Sequence, residues 1–366
     1  MLKGKGRRIV QLFKQLFKKK QARLGIDIGS SAVKVIQLDC VRNGYRVAAY
    51  AIEPLNPGSV QDKNIVDQET VAAAIVRALG KARTKLRHAV LAVPGSATVS
   101  RVISVPGSLK ELELEETIKL EADSHIPYPI DEVSLDFEVI GETASNPENV
   151  DVLVVATRSE NVESRVAVCE LAGLTTDIVD VESFAVENVY KQMIAPTLSE
   201  AERTLPVALL DIGANTTAIH VFNSDGIIHT REHDFGGRLL TEEIARHYEI
   251  TTEEASRKQR SGDFPEDYTR RVLQPFIDTA AIQIERFIQF YYSAGQGGNI
   301  GLLLIGGGTA NIPGLIERIA KETGIPAKLA NPFTNTQRAS SVSAEALGND
   351  GSALLIASGL ALRSFD

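Results

Sequence analysis

The sequence predicts an α/β fold of two lobes, and three observations predict it. Short apolar strands alternate with helical stretches in two successive blocks, the pattern of α/β architecture. The two blocks open alike: LGIDIGSSAVKVIQL at 24–38 aligns with LLDIGANTTAIHVF at 209–222. Each is an apolar strand, Asp-Ile-Gly, a few small polar residues and a second apolar strand, and an internal repeat outranks local propensity. A third segment, LLLIGGGTANIPGL at 302–315, runs an apolar strand into three glycines.

The composition agrees with this class. A chain of 366 residues has room for two or more domains and can bury a large core without staples. Apolar residues make up 43% and charged residues 23%, an ordinary globular balance. Two cysteines, Cys40 and Cys169, give no disulfide framework, so a reducing compartment is expected. No apolar run is long enough for a membrane-spanning helix and no signal peptide is expected. The net charge of −8 is unevenly spread. Residues 1–23 hold nine Lys or Arg and no acid, whereas the rest carries 30 basic against 47 acidic residues, a net of −17. An acidic body speaks against nucleic-acid binding.

The elements follow in order. Within residues 1–23, Ile9, Leu12, Phe13, Leu16 and Phe17 fall on one helical face, with Gln11, Lys14, Gln15 and Lys18 on the other. A basic helix of this kind can lie in a membrane interface, bind a partner, or be a frayed tail. Strands are expected at 24–28, 33–38, 46–52, 88–93 and 98–105, with an Ala-rich helix at 67–80. A helix at 109–124 has Ser108 as cap and Glu111 three residues on, a capping box. Strands near 133–140 and 151–156 flank a polar turn, and helices fit 159–172 and 181–193. The stretch 195–206 is a surface connection. The second block has strands at 207–212, 217–222 and 227–234, and helices at 236–248, 251–261 and 265–293. A strand at 301–305, a helix near 312–322, a polar mobile loop at 333–351 and a small-residue helix at 352–362 close the chain.

The repeated hairpins carry the chemistry. A strand ending in Asp-x-Gly enters a tight turn, where Ser30 and Ser31, or Asn215, Thr216 and Thr217, offer hydroxyl and amide groups to anionic oxygens. Asp27 and Asp211 can hold a hydrated Mg²⁺, which keeps its waters and uses one or two carboxylates. Lys34 is a cation on an otherwise apolar strand, and a buried lysine needs an anion. Two such turns facing each other make a clamp for a polyphosphate. Gly306, Gly307 and Gly308 admit a ligand close to the backbone, and the helix after them attracts negative charge at its start.

These residues resemble the actin-like ATPase superfamily: GIDIGSSAVK its first phosphate motif, LDIGANTT its second, LIGGGTANIPG its adenosine motif. More narrowly, LGIDIGSSAVKVIQL, EADSHIPYPIDEVSLDFEVI, DVESFAVENVY and the ending ASGLALRSF resemble the PilM family of type IV pilus assembly. The resemblance implies an actin-like two-lobed ATPase fold with a small subdomain inserted in the first lobe. The implied division is a basic segment 1–23, a first-lobe core of 24–93 and 166–203, an insertion at 94–165, a second-lobe core of 204–235 and 300–366, and a nucleotide-binding subdomain at 236–299. ATP with Mg²⁺ would sit between the lobes. Gly29, Ser30, Ser31 and Lys34 match the first phosphate loop, and Asp211, Gly213, Asn215, Thr216 and Thr217 the second. Asp27 and Asp211 would position Mg²⁺ through waters. Gly306, Gly307, Gly308 and Asn311 match the adenosine turn. Gly236, Gly237, Glu254 and Lys258 match the ribose and adenine wall, with Gln259 or Arg260 as other registers for Lys258. Glu182 falls where chaperone relatives carry the acid that orients the attacking water; its other reading is a helix-start acid favoured by the dipole.

The family implies a cytoplasmic protein, peripheral at the inner membrane, that binds ATP and grips the N-terminal cytoplasmic tail of PilN in a groove between the first lobe and residues 94–165. Hydrolysis would be slow. The alternatives are an FtsA-like cell-division or cytoskeletal protein and a small-molecule kinase of the same superfamily.

Overall fold

A computed structural model describes residues 22–42, 44–295 and 298–366. The basic amphipathic segment expected at 1–20 lies outside the described residues. The chain opens with β1 (Leu24–Ile28), β2 (Ala32–Val41) and β3 (Gly44–Pro54), then a short hairpin of β4 (Val60–Gln61) and β5 (Asn64–Ile65). Helix α1 (Gln68–Ala82) starts at Asp67, whose carboxylate accepts the Thr70 N–H, and leads to β6 (His88–Val93). An insertion follows: β7 (Thr98–Pro106), α2 (Glu111–His125), β8 (Val133–Thr143) and β9 (Asn146–Arg158). The chain returns through α3 (Ser159–Leu171), β10 (Thr175–Val181) and α4 (Glu182–Val189).

The second half is built from β11 (Val207–Ile212), β12 (Thr217–Phe222), β13 (Ile227–His233), α5 (Arg238–Tyr248), α6 (Thr252–Ser261), α7 (Gln274–Ser293), β14 (Leu302–Gly306), α8 (Leu315–Thr323) and β15 (Ala327–Leu329). It ends in β16 (Gln337–Arg338), α9 (Ala344–Asp350) and α10 (Leu355–Leu362).

The two sheets repeat each other strand for strand. The first runs β10-β6-β1-β2-β3, with β16 added at its edge, and the second runs β15-β14-β11-β12-β13. In each, the central strand pairs antiparallel with the hairpin that follows it and parallel with a later strand. The likeness of the two Asp-Ile-Gly segments is thus the visible part of a duplicated sheet. The insertion forms its own antiparallel sheet, β7-β9-β8, with Ile118 and Ala122 of α2, and Ile126 just after it, in one apolar cluster with Val105, Val152 and Val154.

Helix α10 is apolar all round and sits against β1, β2, β6 and α4. Small residues allow it to come this close: a Cβ on Gly25 would run into the carbonyl of Ala357, and one on Gly359 into that of Ala185. Its partners bury Leu354, Leu355, Ala357 and Ala361 in one cluster with residues of both sheets, Ile36 and Leu38 on one side and Leu209 and Leu302 on the other.

Several expectations are corrected. Helix α2 begins at Glu111 rather than 109; Lys110 caps it, and the Glu113 carboxylate accepts the Lys110 N–H at 3.0 Å, so Ser108 and Glu111 form no box. The polar turn at 141–149 shrinks, because β8 runs to Thr143 and β9 starts at Asn146. The 333–351 stretch is no free loop: Gln337 and Arg338 pair with Arg46 and Val47, and the Ser343 side chain accepts the Ala346 N–H to start α9. Helix α8 begins three residues after 312, behind Gly314 at φ +82°. Strand β10 was not expected, since Asp177 and Asp180 break its apolar pattern. Arg23 and His88 partner the first and Arg363 the second. Cys40 and Cys169 are both free thiols, and burial pushes that of Cys169 up to about 12.

Candidate functional site

The carboxyl ends of the two central strands meet at a cleft. Gly29 N–H closes the first turn on the Ala32 carbonyl at 3.1 Å, and Gly213 N–H closes the second on Thr216 at 2.9 Å. Register then decides what faces the cleft. Asp27 lies opposite Lys34 on β2, and Lys34 opposite Ile52 on β3. In the second sheet Asp211 lies opposite Ala218, and Ala218 opposite Glu232 on β13. Directly paired residues share a sheet face, so Asp211 and Glu232 lie in one row with a small residue between them.

Lys34 Nζ is 2.7 Å from Asp27 Oδ2, and Asp27 is only 5% exposed. Burial pulls the Lys34 ammonium down, but the fields of Asp27 and Asp211 outweigh it and its net shift is upward. Burial pushes the Asp211 carboxyl up, opposed by Lys34 and reinforced by Asp27. Lys34 therefore joins the two loops electrostatically, with Glu182 adding to its field.

A second cation stands beside the first. Lys63 Nζ is 2.8 Å from Glu182 Oε2 and 2.9 Å from Glu232 Oε1. Burial pulls Lys63 down and the two carboxylates more than restore it, while burial pushes Glu182 up against the pull of Lys63. Lys63 occupies the turn of the β4–β5 hairpin, where Asp62 and Lys63 have φ of +46° and +64°. Two positive φ values in a two-residue turn suit Asn-Gly or Asp-Gly. A lysine there costs of order 1–3 kcal/mol and persists only where its surroundings hold it. Arg165 does so, donating to the Lys63 carbonyl at 2.9 Å and to those of Ala92 and Asn161.

The glycine turn after β14 completes the group. Asp211 pairs with Gly306, Thr309 Oγ1 donates to the Gly213 carbonyl at 2.9 Å, and Gly237 N–H donates to the same carbonyl at 3.0 Å. Gly307 has φ +88°, and a Cβ there would lie 2.5 Å from Asp211 Oδ1. The second loop, Gly236–Gly237 and the 306–309 turn are thus fastened into one surface. A Cβ on Gly308 would meet nothing within 4 Å, so this glycine borders open space.

Not every expected residue faces that surface. Ser30, Asn215 and Thr216 are half-buried and Ser31 is exposed on the loops, but Thr217 is fully buried and its hydroxyl donates to the Phe235 carbonyl at 2.8 Å. The Asn311 amide donates to the Asn349 carbonyl and to Ser352 Oγ, which ties the glycine turn to the start of the last helical stretch. Glu254 and Lys258 stand on α6, where Lys258 reaches the Asp263 carbonyl and carboxylate at 3.4 and 3.8 Å. Gln259 accepts from Thr241 of α5. Lys63, Glu232 and Arg165 were not foreseen. Of the three, Glu232 alone left a sequence signal, that of register: extending the second hairpin to its third strand puts it in the row of Asp211.

The chain matches the model of the family described as type IV pilus assembly protein PilM over residues 25–365. This chain belongs to the PilM family. Among solved structures, a PilM–PilN type IV pilus biogenesis complex superposes with a TM-score of 0.77 at 27% identity, covering 95% of this chain and 100% of the other. The ethanolamine utilization protein EutJ of Carboxydothermus hydrogenoformans superposes at 0.56 with 18% identity, covering 93% and 89%, a likeness of fold alone. The PilM family fold is therefore the actin-like two-lobed one. The cell division protein FtsA of Bacillus subtilis is 27% identical over 262 residues, 65% of this chain and 57% of its own length. That of Pseudomonas aeruginosa is 25% identical over 246 residues, 56% of its length, so this chain spans little more than half of these curated relatives.

Proposed function

We propose that this PilM-family protein is an ATP-binding adaptor of the type IV pilus machine that holds the N-terminal cytoplasmic tail of PilN and couples its nucleotide state to assembly of the inner-membrane complex. The observation that carries the nucleotide half is the meeting of the two Asp-Ile-Gly turns over Lys34, backed by the glycine turn against Asp211. The donor set fits the ligand. Lys34 and the N–H groups of Ser30–Ser31 and Ala214–Thr216, inside the turns that Gly29 and Gly213 close, suit phosphate oxygens, and Asp27 and Asp211 suit a hydrated Mg²⁺. Gly306–Gly308, with Gly236 and Gly237, would bear the nucleoside, and Glu254 and Lys258 would wall the base from α6. When bound, Mg²⁺ would neutralise phosphate charge between the two aspartates. Lys34 would then balance whichever carboxylate is left without a cation.

Glu182 is the acid for orienting a water, and its carboxylate is held by Lys63. A carboxylate already engaged by a lysine is not free to turn to a water, which supports binding with slow turnover over a fast ATPase or a sugar kinase. The partner half rests on the likeness to the PilM–PilN complex. The groove proposed for the tail lies between the first lobe and residues 94–165. A basic stretch at 1–20 would add contact with anionic headgroups and keep the protein at the inner membrane.

Calorimetric titration with ATP and Mg²⁺ tests the nucleotide half, with Asp211→Asn as control. Binding in the micromolar range that drops at least tenfold in the variant is expected. A wild-type protein that takes up no heat from ATP would reduce the clamp to an inherited fold.

A further inference from the structure

We propose that Lys63 and Glu232 form a latch across the cleft, joining the two lobes and setting how fast a nucleotide can leave; the nucleotide half rests on the function proposed above. The two carboxylates on Lys63 belong to different lobes. Glu182 begins α4 at the end of β10 in the first sheet, and Glu232 lies on β13, the edge strand of the second. Their ion pairs with Lys63, at 2.8 and 2.9 Å, are shielded: the three side chains are 17%, 15% and 18% exposed. An ion pair withdrawn from water is screened far less than one on the surface.

The lysine is built into the first lobe and only its ammonium crosses. Its backbone stands in a left-handed turn conformation that a lysine rarely adopts. Arg165, itself buried, pins the Lys63 carbonyl while holding Ala92 at the end of β6 and Asn161 of α3. Glu232 receives a second grip from the same lobe, the Ser96 N–H at 3.3 Å, from the turn that follows β6. That turn stands in the first sheet where the glycine turn after β14 stands in the second. The second lobe thus offers one carboxylate, and two fixed groups of the first lobe close on it. Helix α10 packs the lobes together at the base of the cleft, so opening requires Glu232 to part from Lys63 and Ser96. A ligand seated between the Asp27 and Asp211 turns would be released by that opening.

The test reads the latch twice, once without nucleotide. In a Cys40→Ser background, spin labels at Lys85→Cys on the first lobe and Arg257→Cys on the second report the distance between lobes; both sites are exposed, and Cys169 is buried from label. Glu232→Ala should shift this distribution to longer and broader distances, and Glu232→Gln, which keeps a hydrogen-bonding oxygen, should fall between. Stopped-flow release of a fluorescent ATP analogue with Mg²⁺ should quicken at least tenfold in Glu232→Ala and less in Glu232→Gln. Circular dichroism of each variant confirms folding, and Glu232→Gln carries the comparison if Glu232→Ala does not fold. Unchanged distances would overturn the latch, and longer distances with unchanged release would overturn its control of the nucleotide. If the wild type binds no analogue, the nucleotide reading fails and the label distances alone decide the latch.

Discussion

His220 shows how a single buried group can set the acid limit of the molecule. It lies on β12, 3% exposed, with Nδ1 3.2 Å from Thr230 Oγ1. Burial pushes its imidazole down to about 4 from an ordinary 6.5, with Glu232 pulling the other way. In the unfolded chain it takes up a proton as pH falls below 6.5, while the native side chain stays neutral until about 4. The unfolded state binds more protons in that window, so stability falls as pH falls through it. The loss approaches roughly 3 kcal/mol by pH 4. Urea unfolding at pH 7 and pH 4 should show that loss in the wild type and a smaller one, by about that amount, in His220→Gln. Equal pH dependence in the two proteins would mean that the imidazole is not shielded. At this scale Asp27, Lys34 and Asp211 are legible as candidates in the sequence, because each lies in one of the two repeated hairpins, whose strands and turn are contiguous. Lys63 and Glu232 stay hidden, because 169 residues separate them and only tertiary packing brings them to one ammonium contact.

Elements were legible where period and apolar run agree, as in β1, β6, β11 and β14, each an apolar run with its central role in a sheet. They were less legible where polar residues find partners far away. Strand β10 carries two aspartates, and only Arg23, His88 and Arg363, from distant parts of the chain, make them tolerable there. Stretch 333–351 reads as loop because β16 has two residues and α9 seven, too short for any period to declare itself. Helix α10 is the opposite case: its small-residue composition is plain, and its close packing explains it. Gly25→Ala would set a methyl against the Ala357 carbonyl and 2.6 Å from Ala361 N. Backbone atoms cannot swing aside as a side chain can, so the variant should lose about 1–3 kcal/mol by overpacking. A melting temperature within a degree of wild type would show that α10 can retreat from β1 at no cost.

Across the whole molecule, duplication gives two sheets of one design whose corresponding rows differ in charge. The row of Asp27 ends in Lys34 and Ile52, and that of Asp211 ends in Ala218 and Glu232. The first lobe supplies the cations, Lys34 and Lys63, each paired with a carboxylate of its own, Asp27 or Glu182, and the second lobe adds Asp211 and Glu232 to them. Such lobes attract each other, and a polyphosphate with Mg²⁺ between them alters that attraction. If the PilN tail binds between the first lobe and residues 94–165, the two ligands share one equilibrium between open and closed forms. Linkage then requires equal factors in both directions: ATP must change tail affinity as much as the tail changes ATP affinity. A coupling of about 1–3 kcal/mol, or 5- to 150-fold, is typical of such sites. Titrating a synthetic tail peptide with and without saturating ATP, and ATP with and without saturating peptide, measures all four legs. The expected result is a closed cycle with a factor in that range, reduced toward one in Glu232→Ala, because without the latch the closed form that the two ligands share is too weakly populated to couple them. A factor of one in the wild type would mean that the tail site and the cleft move independently, and that the latch serves nucleotide retention alone.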